Sequence, residues 1–154
     1  MKVIGIDPGI ERTGFAVLEM SGRKMLLLDC GCIKTSGKLP FPTRLNILAN
    51  DLKSVLKQWK PAAAGLEHIY FSKNVKTAMK VSHARGVIAE VLEEYGIHIT
   101  EFNPAHIKSA VAGDSKADKL QIRKMLQCTL GIDINQDDTA DAIACAICLL
   151  TTRT

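Results

Sequence analysis

The sequence lacks any apolar run long enough to cross a membrane. Its longest uncharged and mainly apolar stretch is 142–152, far short of the ~20 residues that a membrane-spanning helix needs. We also expect no export signal, because Asp7 interrupts the apolar stretch that begins near Met1. We therefore expect a cytoplasmic protein without a membrane partner.

The pattern of the cysteines suits neither disulfides nor zinc. The five cysteines are an odd number, and a chain without an export signal keeps its thiols reduced by default. Neither Cys30 with Cys32 nor Cys145 with Cys148 has the spacing of a zinc knuckle. Buried thiols are the simpler interpretation. The histidines do not have metal-ligand spacing either; they are His68, His83, His98 and His106.

The length and composition indicate one globular domain. A chain of 154 residues can bury a hydrophobic core without disulfides or metals to hold it. Hydrophobic residues make up 47% of the chain and charged residues 23%, which excludes disorder across the whole chain. Neither a long linker nor an internal repeat divides the sequence. We therefore predict a single domain over residues 1–154.

Hydrophobic periodicity predicts an α/β fold. Strands are expected at 3–6, 13–20, 25–35, 62–70 and 97–102. Helices are expected at 43–59, 75–95 and 104–112. A fourth would begin at an N-cap Ser115, with Asp118 completing a capping box, and run to residue 130. A fifth would begin at an N-cap Asp137. The 21–24 turn joins the second and third strands into a hairpin. The pattern therefore predicts a five-stranded mixed sheet with one antiparallel hairpin, flanked by helices.

Four carboxylates lie in apolar surroundings. Asp7 ends the first strand and Glu67 lies in the fourth, where a carboxylate is costly to bury unless it is paired, protonated or bound to a metal. Asp138 and Asp141 share one face of the last helix. Ordinary explanations exist for single members: an Asx-turn for Asp7, a solvated strand end for Glu67, and a favourable helix dipole for Asp138.

Together the four acids predict a metal site. Neighbouring parallel strands would bring Asp7 and Glu67 side by side, and the last helix would add the two aspartates. Oxygen ligands alone suit Mg²⁺ or Mn²⁺. Two such ions about 3.5–4 Å apart are the usual apparatus of phosphodiester hydrolysis, in which one activates a water and the other stabilises the leaving oxygen.

Basic residues are clustered, although the net charge of +4 permits a nucleic-acid partner without requiring one. Residues 68–89 contain four cations and no acids, whereas 133–141 contain four acids and no cations. Two sets recur at helical spacing: Lys73, Lys76 and Lys80, and then Lys116, Lys119 and Arg123. One such set alone is typical of a solvated helix face. Two sets beside an acidic site favour contacts with DNA phosphates.

Three segments resemble RuvC-type Holliday junction resolvases. They are 4–9 with 13–15, 66–74 with 84–86, and 138–144, and they occur in the family's order along nearly the whole chain. The resemblance implies an RNase H-like fold. It also implies a structure-selective endonuclease that resolves four-way DNA junctions by metal-dependent paired nicking of opposed strands. Such nicking leaves 5′-phosphate and 3′-hydroxyl ends. The family acts in homologous recombination and DNA repair.

The same resemblance assigns roles to individual residues. Asp7, Glu67, Asp138 and Asp141 would bind two Mg²⁺ ions per active site, for which Mn²⁺ would substitute. Lys108 and Lys119 would neutralise charge near the scissile phosphate, although packing of its stem explains Lys108 equally well. DNA contacts are expected from Tyr70 or Phe71 by base stacking, and from Lys73, Lys76, Lys80, Arg85, Lys116 and Arg123.

The resemblance also implies partners, namely a second copy of the chain and a branch-migration motor complex. Small residues line one side of the long second helix and would let another helix approach closely; they are Ala78, Ser82, Gly86 and Ala89. A twofold homodimer would match the symmetry of a four-way junction. Two alternatives stay open: an RNase H-like nuclease that processes structured RNA, resembling the YqgF group, and a junction-binding protein that does not cut.

Overall fold

The fold is built from five strands and five helices in the part of the chain that the computed structural model describes. This part comprises residues 1–68 and 75–152, with only the backbone described at 75–77. The strands are β1 (Lys2–Asp7), β2 (Arg12–Ser21), β3 (Lys24–Lys34), β4 (Ala63–Glu67) and β5 (His98–Phe102). The helices are α1 (Phe41–Trp59), α2 (Val75–Glu94), α3 (Pro104–Ala112), α4 (Lys119–Leu130) and α5 (Asp137–Thr152).

The strands form one mixed sheet in the order β3-β2-β1-β4-β5. β1 is antiparallel to β2 and parallel to β4, and β4 is parallel to β5. The hairpin of β2 and β3 turns at Gly22, whose φ of 60° is a conformation that glycine adopts without a steric penalty. The predicted five-stranded mixed sheet with one antiparallel hairpin is thus confirmed.

Each face of the sheet is covered by helices. α1 and α2 supply Leu48, Leu52 and Ile88 to the core on one face. α5 lies on the other face with α3 and α4 beside it, and it is buried from Ala142 to Leu150. This burial agrees with the expectation that the last helix is apolar on all sides. No helix in residues 1–68 or 75–152 has the length and apolarity to cross a membrane.

Two glycines allow α5 to lie directly on the sheet. A Cβ atom at Gly5 would lie 2.0 Å from the carbonyl oxygen of Ala142, and one at Gly14 would lie 2.0 Å from that of Asp138. Only glycine fits at such a close approach of two backbones. Because Gly14 pairs with Asp7 across β1 and β2, the start of α5 is held beside the end of β1.

The start of α4 differs from the prediction. Its N-cap is Asp118 rather than Ser115: the Asp118 carboxylate accepts a hydrogen bond from the backbone N–H of Gln121 at 2.8 Å, and the Gln121 side chain accepts one from the N–H of Asp118 at 2.8 Å. Ser115 lies in a turn that the N–H of Ala117 closes by donating to the carbonyl oxygen of Asp114 at 3.2 Å, so the chain enters the helix only after Ala117. Lys116 therefore precedes α4 instead of sharing a helix face with Lys119.

Two boundaries at the predicted acidic site also differ. β4 ends at Glu67, so this carboxylate stands at the end of the strand and not within it. Asp137 is the first residue of α5 and not its N-cap. The backbone N–H of Ala140 donates to the carbonyl oxygen of Gln136 at 3.0 Å, which places the cap one residue earlier.

Candidate active site

The four predicted carboxylates come from three elements that meet at the C-terminal ends of the neighbouring strands β1 and β4. Asp7 is the last residue of β1 and Glu67 the last of β4. The parallel register pairs Ile6 with Leu66. The next residues along the two strands are Asp7 and Glu67, so these lie side by side. Asp138 and Asp141 lie at the start of α5, over the same end of β1.

Electrostatics show how closely these carboxylates are grouped. The pKa of Asp7 is raised to about 8, mainly by burial and then by the charges of Asp141, Glu67 and Asp138, while Lys119 acts in the opposite direction. All three other acids therefore act on Asp7, which is the centre of the group.

The turn after Asp7 does not need the Asp7 side chain to close it. The hydroxyl of Thr13 donates to the carbonyl oxygen of Gly9 at 2.5 Å and accepts from its N–H at 3.4 Å. The Asx-turn explanation of Asp7 therefore loses its structural reason, because Thr13 already satisfies the polar groups of the bend.

A cavity of about 210 Å³ opens beside the carboxylates, and Glu67 and Asp141 both line it. Burial raises the pKa of each of these two carboxyl groups, and the charge of Asp141 adds to the effect on Glu67. Lys108 also lines the cavity, and its charge lowers the pKa of Glu67. The Lys108 ammonium therefore acts on the acidic group and is not remote from it.

A pair of cations on α4 lies at the rim of the same cavity. Lys119 and Arg123 both line it, and both bind Asp137, Lys119 at 3.1 Å and Arg123 through its Nη2. These contacts hold the pKa of Asp137 below its usual value. Asp137 thus fixes two cations beside the acidic group, a role that the sequence analysis did not foresee.

Arg12 is another residue that the sequence analysis missed. It opens β2, and its Nε donates to the carboxylate of Asp138. This contact raises the pKa of the Arg12 guanidinium. The only signal in the sequence was that Arg12 follows soon after Asp7. Nothing in the local sequence connects Arg12 to Asp138, which lies 126 positions away.

The donor set suits a hard divalent cation, although the side chains are not arranged around one. In residues 1–68 and 75–152, no three His, Cys, Asp or Glu side chains already stand in a group that could hold a metal ion. Asp138 is turned to the Arg12 guanidinium. Carboxylate oxygens that raise one another's pKa are those that a divalent ion would stabilise in the charged form. The residues therefore have the chemistry of a magnesium-type site, and several of the side chains, Asp138 among them, would have to move to surround the ion.

The other predicted DNA contacts divide into three groups. Tyr70, Phe71 and Lys73 lie outside the described residues, and Lys76 is described by its backbone alone. Lys80 and Lys116 are exposed. Arg85 is largely buried and binds the backbone carbonyl of Glu67 together with the carboxylate of Glu101.

This mixed sheet, with carboxylates at the ends of two parallel strands and on the helix laid across them, defines an RNase H-like nuclease. The family model described as crossover junction endodeoxyribonuclease RuvC matches residues 3–149. The chain belongs to this RuvC family of crossover junction endodeoxyribonucleases.

Individual relatives agree with this assignment over most of their length. The RuvC protein of Roseiflexus sp. is 43% identical over 149 residues, which span 96% of this chain and 89% of the relative. That of Ruminiclostridium cellulolyticum is 38% identical over 150 residues, which span 96% and 90%.

Solved structures confirm the fold. Thermus thermophilus RuvC in complex with a Holliday junction substrate has a TM-score of 0.94 and 30% sequence identity, covering 99% of this chain and 94% of that one. The yeast mitochondrial resolvase Ydc2 has a TM-score of 0.68 at 14% identity, covering 95% and 76%, and shares the fold alone.

Proposed function

We propose that this protein resolves four-way (Holliday) DNA junctions by metal-dependent paired nicking of opposed strands. The meeting of Asp7 and Glu67 at the ends of paired strands, with Asp138 and Asp141 at the start of the helix laid over them, is the observation that carries this proposal. The substrate is inferred from the family's name and from the junction-bound Thermus thermophilus relative. Cleavage would leave 5′-phosphate and 3′-hydroxyl ends and would serve homologous recombination and DNA repair.

The four carboxylates are proposed to hold two Mg²⁺ ions, for which Mn²⁺ would substitute. When bound, such ions supply an activated water and stabilisation of the leaving 3′ oxygen. The sheet places the backbones of Asp7 and Glu67 side by side and α5 brings Asp141 over them, so side-chain rotation would complete the set when the ions bind. Asp138 would leave Arg12 on binding, which frees that guanidinium to face the DNA.

The cations around the cavity are proposed to act on the phosphate. Lys108 and Lys119 border the acidic group from α3 and α4, where positive charge would stabilise the charge that develops on the scissile phosphate. Asp137 holds Lys119 and Arg123 at that rim. Phosphates farther along the DNA would meet the exposed Lys80 and Lys116, while the stacking role of Tyr70 or Phe71 stays a prediction.

A cleavage assay on several substrates tests the proposed function. The protein with Mg²⁺ is expected to nick opposed strands of a synthetic four-way DNA junction and to leave a flap duplex and a structured RNA uncut. Preferential cleavage of the RNA would support the alternative function of a YqgF-like nuclease. Binding without cleavage in Mg²⁺ or Mn²⁺ would support a junction-binding protein instead.

The stability of the metal-free protein is expected to fall as the pH rises from about 4 to about 8. Asp7 has a pKa of about 8 in the fold against 3.8 ordinarily, so within this window the folded protein keeps a proton that the unfolded chain releases. Each such group changes the free energy of unfolding by at most about 1.4 kcal/mol per pH unit. Mg²⁺ competes with that proton, so the stabilisation by Mg²⁺ should grow with pH.

Thermal unfolding from pH 5 to pH 8, with EDTA or with Mg²⁺, measures both effects. The control is Asp7→Asn, which cannot titrate at this position and should show a flatter pH dependence without metal. Identical pH profiles of the wild type and Asp7→Asn would contradict the assigned burial of this carboxylate.

We also propose that the protein is a homodimer in which the outer side of α2 takes part. Of the predicted stripe of small residues, Ser82 and Gly86 are exposed there, with Met79 beside them at 57% exposure, whereas Ala78 is buried in the core of the chain itself and Ala89 is partly buried. A side chain at Gly86 would meet nothing within 4 Å in the chain itself. Gly86→Arg should therefore leave the monomer folded and disrupt the dimer.

Sedimentation velocity at micromolar concentration checks this prediction. The wild type should sediment as a dimer and Gly86→Arg as a monomer, while Gln58→Arg, an exposed position on α1, should remain dimeric. A wild type that is monomeric throughout would refute the dimer.

A cytoplasmic location and a branch-migration motor complex as partner complete the proposal. All five cysteines are free in the structure, which suits a reducing compartment. A pull-down with the purified motor proteins on junction DNA would test the partner.

A further inference from the structure

Arg85 connects three elements at the edge of the sheet where the carboxylates meet. It lies in α2, and its side chain is only 18% exposed. Its Nη1 donates to the carbonyl oxygen of Glu67 at 2.7 Å, and its Nη2 forms an ion pair with Glu101 on β5. Both charged nitrogens are therefore committed to this end of the sheet.

The carbonyl of Glu67 depends on Arg85 because the sheet cannot supply a donor there. The C=O of Glu67 and the N–H of His68 belong to one peptide group and point in opposite directions. That N–H donates to Phe102 on β5 at 2.7 Å, so the C=O faces β1. After Asp7, β1 continues with Pro8, which has no N–H. Arg85 provides the hydrogen bond that Pro8 cannot make.

The contact controls where the Glu67 carboxylate points. Glu67 is the last residue of β4, and its peptide plane sets the direction of its Cα–Cβ bond. Without a donor, a part-buried carbonyl would be left unsatisfied, which favours rotation of that peptide toward water. Such a rotation would move the carboxylate away from Asp7 and Asp141.

We propose that Arg85 is a positioning residue that orients Glu67 for metal binding, and that it is not a phosphate contact. This inference rests on the proposed function, since it treats Glu67 as a metal ligand. It also revises the role that the sequence favours for Arg85, because a guanidinium held by Glu67 and Glu101 has little freedom to reach DNA.

Three measurements on Arg85→Gln and Arg85→Lys separate the two roles. Junction affinity is measured by fluorescence anisotropy in EDTA, cleavage by single-turnover rates at saturating enzyme over a range of Mn²⁺ concentrations, and ion binding by the electron paramagnetic resonance of free Mn²⁺ with DNA-free protein. The matched control is Arg23→Gln, which removes the same charge from the exposed β2–β3 turn.

The expected result is a defect in metal binding and cleavage without a defect in junction binding. For Arg85→Gln, Mn²⁺ affinity and the single-turnover rate should each fall about 10–100-fold, while junction affinity should change less than about twofold. Arg85→Lys should recover part of both losses, because a lysine can still donate to the Glu67 carbonyl. Arg23→Gln should match the wild type.

Several outcomes would overturn the proposal. Weaker junction binding with a shallower salt dependence and an intact saturating rate would make Arg85 a phosphate contact. No change in any measurement would leave it without a role in the site. If Arg85→Gln does not fold, Glu101→Gln replaces it; unchanged Mn²⁺ affinity in that variant refutes the positioning role. A wild type that cleaves no substrate refutes the proposed function. Even then, the Mn²⁺ affinity of Arg85→Gln compared with that of the wild type tests whether Arg85 positions Glu67.

Discussion

Asp7→Asn should abolish junction cleavage while leaving junction binding intact. Asp7 is the carboxylate on which the charges of Glu67, Asp138 and Asp141 all act, so it is the proposed ligand nearest the centre of the site. Asparagine keeps the size of the side chain but removes its charge. The single-turnover rate should therefore fall on the order of 10³-fold or more, as for loss of a central catalytic group.

The control and the folding check for this prediction are simple. Asp51→Asn, the same substitution at an exposed position of α1, should cleave as the wild type does. Asp7→Asn should also be more stable than the wild type at pH 7 without metal, because folding of the wild type must protonate a carboxylate that is ionised in the unfolded chain, and asparagine removes that cost. A variant that is folded and nicks junctions at the wild-type rate would exclude Asp7 from the active site.

Gly5→Ala should destabilise the protein severely. The new Cβ would lie 2.0 Å from the carbonyl oxygen of Ala142 and 2.5 Å from the backbone nitrogen of Ala146. Both atoms belong to the backbone of α5, so no side chain can rotate away and the helix itself must move. We expect a loss of about 3 kcal/mol or more in the free energy of unfolding.

Urea unfolding followed by circular dichroism measures this loss. The matched control is Gly86→Ala, where the added Cβ meets nothing within 4 Å and alanine favours the helix by up to about 1 kcal/mol. Cleavage by Gly5→Ala should fall as well, because α5 carries Asp141. Wild-type stability of Gly5→Ala would mean that α5 does not lie against β1.

The order of the elements and the acidic site were predictable because their signals are local. Apolar alternation and helical spacing decide strands and helices within a few turns of chain. A carboxylate such as Glu67 stands out against apolar neighbours because its burial requires a compensating partner. The expected packing of the last helix on the sheet connected Asp7 and Glu67 to its aspartates, and the family resemblance then assigned all four as metal ligands.

Helix ends were predicted less well, because two residues met the same local rule. Ser115 and Asp118 are both favourable N-caps, but the structure places Ser115 in a turn closed on Asp114 and buries Ala117 in the core. The misplacement of Lys116 on α4 followed directly from that choice.

What the amino-acid sequence alone determined was the set of elements, the family and the identity of the four acids. Only the tertiary structure decided which charges meet: Arg12 with Asp138, Lys119 with Asp137, and Arg85 with the backbone of Glu67. The physical reason is that an ion pair or hydrogen bond forms over a few ångströms. Residues far apart in the chain come within that distance only through the packing of whole strands and helices, which local sequence does not encode.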